Sequence, residues 1–360
     1  MNTPAGPGFA ARLIRWHKRH GRHDLPWQNT RDPYRVWLSE IMLQQTQVAT
    51  VVPYYHRFLE RFPTLAALAA APVDEVMALW SGLGYYARAR NLHACAQAVM
   101  RVHDGSFPRD PAVIAGLPGI GRSTANSIAT FCFGASAPIM DGNVKRVLCR
   151  AFGIEGFPGS GAVEKRLWSL AEDLMPRRDG ATYNQAQMDL GATVCTRAKP
   201  RCDACPLVAD CVARASGRTD ELPERKPRAT IPQREATLLV LLHGQRVLLE
   251  TRPPAGVWGG LLSLPELPAK ADSREWVAQH FACQVIAVSP APTLDHSFSH
   301  FRLRISPLLV EVKPGHLATE PGLAWWPLDK LQDAGLPAPV RRLLEALQAS
   351  GSKPLDSRKR

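Results

Sequence analysis

Two acids and a set of amides could do chemistry in this chain. Glu40 lies in Val36-Trp37-Leu38-Ser39-Glu40-Ile41-Met42-Leu43-Gln44-Gln45-Thr46-Gln47, among strongly apolar neighbours. A carboxyl there is either on a solvated polar face or desolvated, and a desolvated carboxyl has a raised pKa suited to proton donation. Gln44, Gln45 and Gln47 follow about one turn later. Their amides carry donor and acceptor together, which suits base edges and equally suits a polar helix end. The second acid is Asp141 in Ile139-Met140-Asp141-Gly142-Asn143, downstream of Leu117-Pro118-Gly119-Ile120-Gly121-Arg122-Ser123-Thr124. Gly119 and Gly121 leave backbone N–H groups uncovered by any Cβ, and a helix starting near Arg122 adds unpaired N–H groups. Such a turn holds a phosphate without reading sequence, or is simply a Gly-capped connector. Gly82-Leu83-Gly84-Tyr85-Tyr86-Ala87-Arg88-Ala89-Arg90 joins a second Gly turn to two aromatics and two cations. Arginines there neutralise phosphates and a tyrosine wedges into a base stack, or the same residues are core tyrosines with solvated arginines.

Four of the eight cysteines are clustered: Cys195, Cys202, Cys205 and Cys211. Clustered cysteines in a cytosolic chain read as metal ligands, and four thiolates suit either structural zinc or a [4Fe–4S] cluster. Spacing alone does not separate the two. Arg197, Lys199 and Arg201 lie between them and make a short basic loop. The scattered Cys95, Cys132, Cys149 and Cys283 read as small core residues.

The 360 residues allow two domains with separate cores, and 45% hydrophobic against 21% charged residues argues against wholesale disorder. No apolar run approaches the roughly 18 residues that cross a bilayer. No secretory leader is read at the N-terminus, so a cytoplasmic location without membrane partners is expected. The net charge of +12 is uneven. Residues 1–236 carry 30 Lys/Arg against 21 Asp/Glu, whereas residues 237–350 carry ten of each. A basic N-terminal part suits a polyanion, most simply nucleic acid.

Residues 10–215 read as helices that would position the acids. Asp32-Pro33 pairs a cap with an N1 proline. Leu38, Ile41 and Met42 then share one face, and Tyr55, Phe58, Leu59 and Phe62 repeat the period. Residues 216–236 are proline-bearing and poor in apolar side chains, as a linker is. Beyond it the period shifts to that of strands at Thr237–Leu242, Val247–Leu249 and Phe301–Val312, with helices at Ser273–Phe281 and Ala338–Leu347. A smaller α+β domain over 237–350 and a basic tail over 351–360 are expected.

Together these parts resemble the helix-hairpin-helix DNA glycosylase superfamily with an iron–sulfur loop. The match runs from about Trp27 to Cys211 and includes the hairpin at 117–121, Asp141-Gly142-Asn143-Val144-Lys145-Arg146, and the cysteine loop at 195–211. Within it, the chain is most similar to the adenine DNA glycosylases of the MutY family. The helix bearing Glu40 is very close to that family's. Ser123 stands where the endonuclease III branch carries a lysine nucleophile, and the β-rich extension fits the MutY family and not endonuclease III. Gly256-Val257-Trp258-Gly259-Gly260-Leu261 resembles a Nudix fold, but Ser273–His280 lacks the paired glutamates that Mg²⁺ needs. A recognition module is expected there.

The resemblance implies a multidomain protein: an all-α glycosylase domain with a [4Fe–4S] cluster on Cys195, Cys202, Cys205 and Cys211, and an α+β Nudix-like domain. It implies excision of adenine opposite 8-oxoguanine, or opposite guanine less well, in double-stranded DNA, by a monomer associated with the bacterial nucleoid. Glu40 would protonate N7 of the flipped adenine, Asp141 would stabilise the cationic sugar, and Asn143 would orient the acid or the water. Gln185 would contact the adenine edge, with Ser123 near the same pocket. Gln44 and Tyr85 would fill the gap left in the duplex, while Gly119 and Gly121 bind phosphate. His296-Ser297-Phe298-Ser299-His300-Phe301 resembles the loop that senses 8-oxoguanine, through Phe298, Ser299 and His300. A serine at 123 cannot form a Schiff base, so base removal without strand cleavage is expected. The competing expectation is an endonuclease III-like bifunctional glycosylase and AP lyase.

Overall fold

A computed structural model describes residues 8–226, 231–254, 256–298, 300–314 and 322–349. The chain divides into two compact units, residues 1–69 with 94–228 and residues 70–93 with 229–360. Among the described residues, the first unit is helical throughout.

Two of its helices carry the candidate acids. Pro33–Leu43 starts where the sequence places a cap: the Asp32 carboxylate accepts from Tyr34 N, with Pro33 in the first turn. Such a cap contributes about 1 kcal/mol. Trp37, Leu38 and Met42 are fully buried, so this helix is anchored by its apolar face. At about 2 kcal/mol or more per large side chain, burial outweighs the cap in holding it. Gly142–Phe152 is capped by Asp141 itself, whose side chain accepts from Val144 N. Its apolar face joins Val144, Val147 and Leu148 to Phe9 and Leu13 of the helix Phe9–His20, Leu167 of Gly161–Leu174, and Tyr183 and Leu190 of Gly180–Thr193.

Gly191 sets how closely two of these helices approach. A Cβ on it would meet Asn143 Cβ at 2.6 Å and Asn143 Cα at 3.0 Å. Only a residue without a side chain lets Gly180–Thr193 lie this close to the first turn after Asp141.

The second unit contains the helix Val73–Trp80, the turn that follows it, and a mixed sheet. The long strands Gln233–His243 and Arg302–Pro314 run parallel at its centre, while Arg246–Thr251 and Cys283–Pro290 pair antiparallel on either side. Leu238, Leu239, Val240 and Leu241 are all buried, so the central strand is covered on both faces, which alternation of side chains requires. Leu239, Leu241 and Val310 pack with Val277 of the helix Ser273–Phe281. Leu294–Ser297 pairs with the start of Arg302–Pro314, and Ser297 lies opposite Arg302. This hairpin presents the 298–301 loop. The loop residue Ser299 and the tail 351–360 lie outside the described residues, as do 227–230 of the expected linker.

Candidate active site

A cavity of about 920 Å³ opens in the first unit. Five of the candidate residues reach it: Glu40, Asp141, Asn143 and Gln185 from three helices, and Gln47 from the start of the helix Val48–Arg61. Trp27, Gln28 and Leu43 contribute to its wall.

Glu40 retains some exposure to the cavity while protein atoms crowd it on all other sides. Desolvation is the main reason its pKa rises from 4.5 to about 7. The Asp141 charge pushes in the same direction, and the Ser127 hydroxyl pulls the other way. Of these two the Ser127 effect is the larger, and burial outweighs it. Of the two environments the sequence left open for Glu40, the structure supplies the desolvated one. A carboxyl poised near neutrality is a competent proton donor.

Asp141 is held at both oxygens. Oδ1 accepts from Val144 N at 2.7 Å, and Oδ2 accepts from Asn143 Nδ2 at 2.9 Å. Asn143 is fixed in turn by Arg146, whose Nη2 donates to Asn143 Oδ1 at 2.8 Å and to the Gly191 carbonyl at 2.7 Å. The carboxylate is thus pinned beside the cavity by the helix that it caps. A fixed anion close to a desolvated acid suits a reaction in which a leaving group takes up a proton while positive charge develops beside it.

Gln185 lines the cavity and donates from Nε2 to Asp189 Oδ1 at 3.0 Å. Asp189 is fully buried and was not singled out from the sequence. The available signal was its spacing, the lone acid of Gly180–Thr193 one helical turn after Gln185. Its pKa is lowered although burial works to raise it, because His17 and Arg22 surround the carboxylate.

Other candidates lie elsewhere. Ser123 does not line the cavity; its Oγ accepts from Met140 N at 3.0 Å, one residue before Asp141. Gln44 ends the Glu40 helix, and the next residue, Gln45, has φ 57°. Tyr85 is 48% exposed, has φ 49°, and belongs to the second unit. A left-handed non-glycine costs roughly 1–2 kcal/mol, so the strain lies at Tyr85 itself and at Gln45, the neighbour of Gln44. In the hairpin, Gly119 has φ 73° and both Gly119 and Gly121 are exposed. Gly121 opens the helix Arg122–Phe133 without a side-chain cap.

Cys195, Cys202, Cys205 and Cys211 are free thiols in one loop. Burial is the main cause of the raised pKa of Cys205 and Cys211, and the neighbouring thiols of the set add to it. Arg150 is buried beneath the loop, donating to Cys195 Sγ at 3.4 Å and to the Thr196 carbonyl at 2.7 Å. Among the described residues, no three His, Cys, Asp or Glu side chains converge on a single-ion site.

In the second unit, Phe298 stacks on Phe301 with ring centroids 4.4 Å apart, and Phe298 N donates to the Phe301 carbonyl. Trp258, His296 and His300 also make ring contacts with Phe298. His300 is exposed.

Comparison with known proteins finds two domain models in the chain. Residues 38–173 match the HhH-GPD superfamily base excision DNA repair protein model, and residues 236–346 match the NUDIX domain. The adenine DNA glycosylase of Buchnera aphidicola (subsp. Acyrthosiphon pisum) is 36% identical, with 94% of this chain and 97% of that protein covered. The human adenine DNA glycosylase is 33% identical over 94% of this chain and 74% of its own length. A thermostable thymine-DNA glycosylase structure covers 58% of this chain and 95% of that one, at 30% identity and a TM-score of 0.52. Near-complete coverage of a relative more than a third identical, on a chain that folds with its two acids at one cavity, decides the assignment. The chain belongs to the adenine DNA glycosylase family, enzymes of base excision repair.

Proposed function

We propose that this glycosylase removes adenine paired with 8-oxoguanine, and less well adenine paired with guanine, leaving an abasic site without cutting the strand. The observation that carries the mechanism is Glu40 at a pKa of about 7 in the same cavity as Asp141 and Gln185. The target nucleotide leaves the duplex to reach them. Glu40 gives its proton to N7 of adenine, which turns a poor leaving group into a good one. Asp141 stabilises the sugar as it becomes oxocarbenium-like, as carboxylates do in glycoside hydrolysis, until water adds at C1′ and loses a proton to leave the abasic site. Asn143 keeps Asp141 in place, and Gln185 contacts the base edge. Ser123 supports this site through Met140 and supplies no amine for a Schiff base.

Around this chemistry, Gln44 and Tyr85 fill the gap left by the base, and Gly119 and Gly121 bind phosphate at the hairpin. Cys195, Cys202, Cys205 and Cys211 would hold a [4Fe–4S] cluster. Supporting this, all four donors are soft, unpaired thiols gathered in one loop. Bound there, the cluster would fix the fold of a loop carrying Arg197, Lys199 and Arg201 toward DNA. Phe298, Ser299 and His300 sense the oxidised guanine. The protein works as a monomer in the cytoplasm, at the nucleoid. Among its described residues no helix is long and apolar enough to cross a membrane. Its functional parts are a glycosylase domain over 10–215, a linker over 216–236, a Nudix-like recognition domain over 237–350 and a basic tail over 351–360.

Single-turnover base release from duplexes that differ only in the base opposite adenine tests this reading. Release should be fastest opposite 8-oxoguanine, slower opposite guanine, and strand breaks should follow only after alkali. Strand breaks without alkali, or equal rates on all duplexes, would contradict it.

Two substitutions probe the parts separately. Phe298→Ala removes the ring stacked on Phe301. It should reduce the preference for 8-oxoguanine over guanine about tenfold, the size of one lost aromatic contact, with little effect on release opposite guanine. The same substitution at Ser299 should act in the same direction. Equal losses on both duplexes would show that the loop does not sense the opposite base. Gly191→Ala forces a methyl group against Asn143. Overpacking of this kind costs about 1–3 kcal/mol of stability, and displacement of Asn143 and Asp141 should slow base release by roughly 10²-fold. A wild-type single-turnover rate in a folded Gly191→Ala protein would show that the close approach of these helices does not position Asp141.

A further inference from the structure

We propose that Asp189 is a specificity-determining positioning residue: it fixes which end of the Gln185 amide faces the cavity, and so sets the hydrogen-bond polarity with which the pocket reads a base. This rests on the reading of Gln185 as a base contact given above. The two residues are one helical turn apart on Gly180–Thr193, and Gln185 Nε2 donates to Asp189 Oδ1 at 3.0 Å. An ionised carboxylate only accepts hydrogen bonds. The amide nitrogen must therefore face Asp189, because the flipped amide would set two acceptor oxygens against each other in a buried site.

Asp189 is itself immobilised. Arg22 donates from its backbone N to Oδ2 at 2.8 Å, and from Nε and Nη2 to Oδ1 at 2.8 and 2.7 Å. His17 Nε2 lies 3.2 Å from Oδ2. Arg22 donates to both oxygens and Asp189 is fully buried, so the carboxylate has neither solvent nor a competing donor to turn toward. The depressed pKa of Asp189 keeps it ionised at neutral pH.

One N–H of Gln185 is thus spent on Asp189. Oε1 remains as an acceptor and the second N–H as a donor. Adenine offers the complement, an exocyclic amine that donates and a ring nitrogen that accepts. With Glu40 at N7, the edge left for Gln185 is the 6-amino group with N1. Hypoxanthine presents the reverse there, a 6-oxo acceptor and an N1–H donor. A locked amide rejects it, because buried polar groups would be left facing like against like.

The test compares single-turnover release of adenine and of hypoxanthine from otherwise identical duplexes. Asp189→Asn replaces an acceptor-only group with one that can accept or donate, and so frees the Gln185 amide to turn. The adenine-to-hypoxanthine rate ratio should fall at least tenfold, with the loss falling mainly on adenine. In a Gln185→Leu background the same Asp189→Asn change should leave the ratio unaltered. Parallel losses on both bases, with the ratio kept, would mean that Asp189 only supports the fold and would overturn the proposal. If Asp189→Asn does not fold by circular dichroism, Gln185→Leu decides alone: a wild-type ratio in that variant shows that the amide polarity is not read, and a ratio lowered tenfold supports the lock. Failure of the wild-type protein to release adenine from any duplex would overturn the underlying functional reading instead.

Discussion

Glu40→Gln is expected to remove nearly all base release while leaving duplex binding intact. Gln has nearly the shape of the protonated acid but no transferable proton. Loss of a general acid costs typically 10²–10⁴ in rate, and the upper part of that range is expected because adenine departs poorly unless protonated. Stability separates this from a folding defect. The folded state holds the Glu40 proton more tightly than the unfolded chain, with a pKa raised from 4.5 to about 7. The stabilisation from that proton is complete below about 4.5, declines as the pH rises, and is gone above about 7. The wild-type protein therefore carries a buried charge at pH 8 that Glu40→Gln lacks. The variant should be the more stable of the two at pH 8, by up to about 3 kcal/mol, and equal to it at low pH. Thermal unfolding at both pH values checks this. Near-normal single-turnover rates in Glu40→Gln would remove the proton-donor role.

Asp141→Asn should produce the second largest loss, roughly 10²–10³ in single-turnover rate, the usual scale for removing one preorganised electrostatic group. The substitution spares the fold for a local reason. Asp141 caps the helix Gly142–Phe152 by accepting from Val144 N. Asn caps helices about as well as Asp, so the helix start survives while the charge is lost. The altered charge also reaches Glu40. Because Asp141 helps to raise the Glu40 pKa, Asp141→Asn should move the alkaline fall in activity to lower pH. A rate within a few-fold of wild type in a well-folded Asp141→Asn protein would show that the anion is not part of the chemistry.

Much of the helical region was legible because local signals agreed with burial. Asp32-Pro33 announces its helix, and Leu38, Ile41 and Met42 are buried as their spacing requires. The strand Cys283–Pro290 was not read from the pattern. A register shift between Val285 and Ala287 breaks its alternation and leaves Ile286 55% exposed, so no period of two survives. Residues 70–93 carry the same helical period as their neighbours, and only tertiary contact sets them with the second unit. At the site, Glu40 and Asp141 stood out as acids in apolar or glycine-rich surroundings. Whether Glu40 was solvated could not be read from its neighbours, because desolvation comes from walls supplied by distant helices. Asp189 was hidden for a related reason. Its partners His17 and Arg22 are more than 160 residues away, and no local period links them.

In the proposed mechanism a proton held on Glu40 at neutral pH drives departure of the base. The pH dependence of single-turnover base release tests it most directly. The rate should be highest where Glu40 is protonated and fall as the pH rises through about 7, and the limb should be missing from the residual activity of Glu40→Gln. A wild-type rate that stays level from pH 6 to pH 9, or the same limb in the variant, would contradict the account.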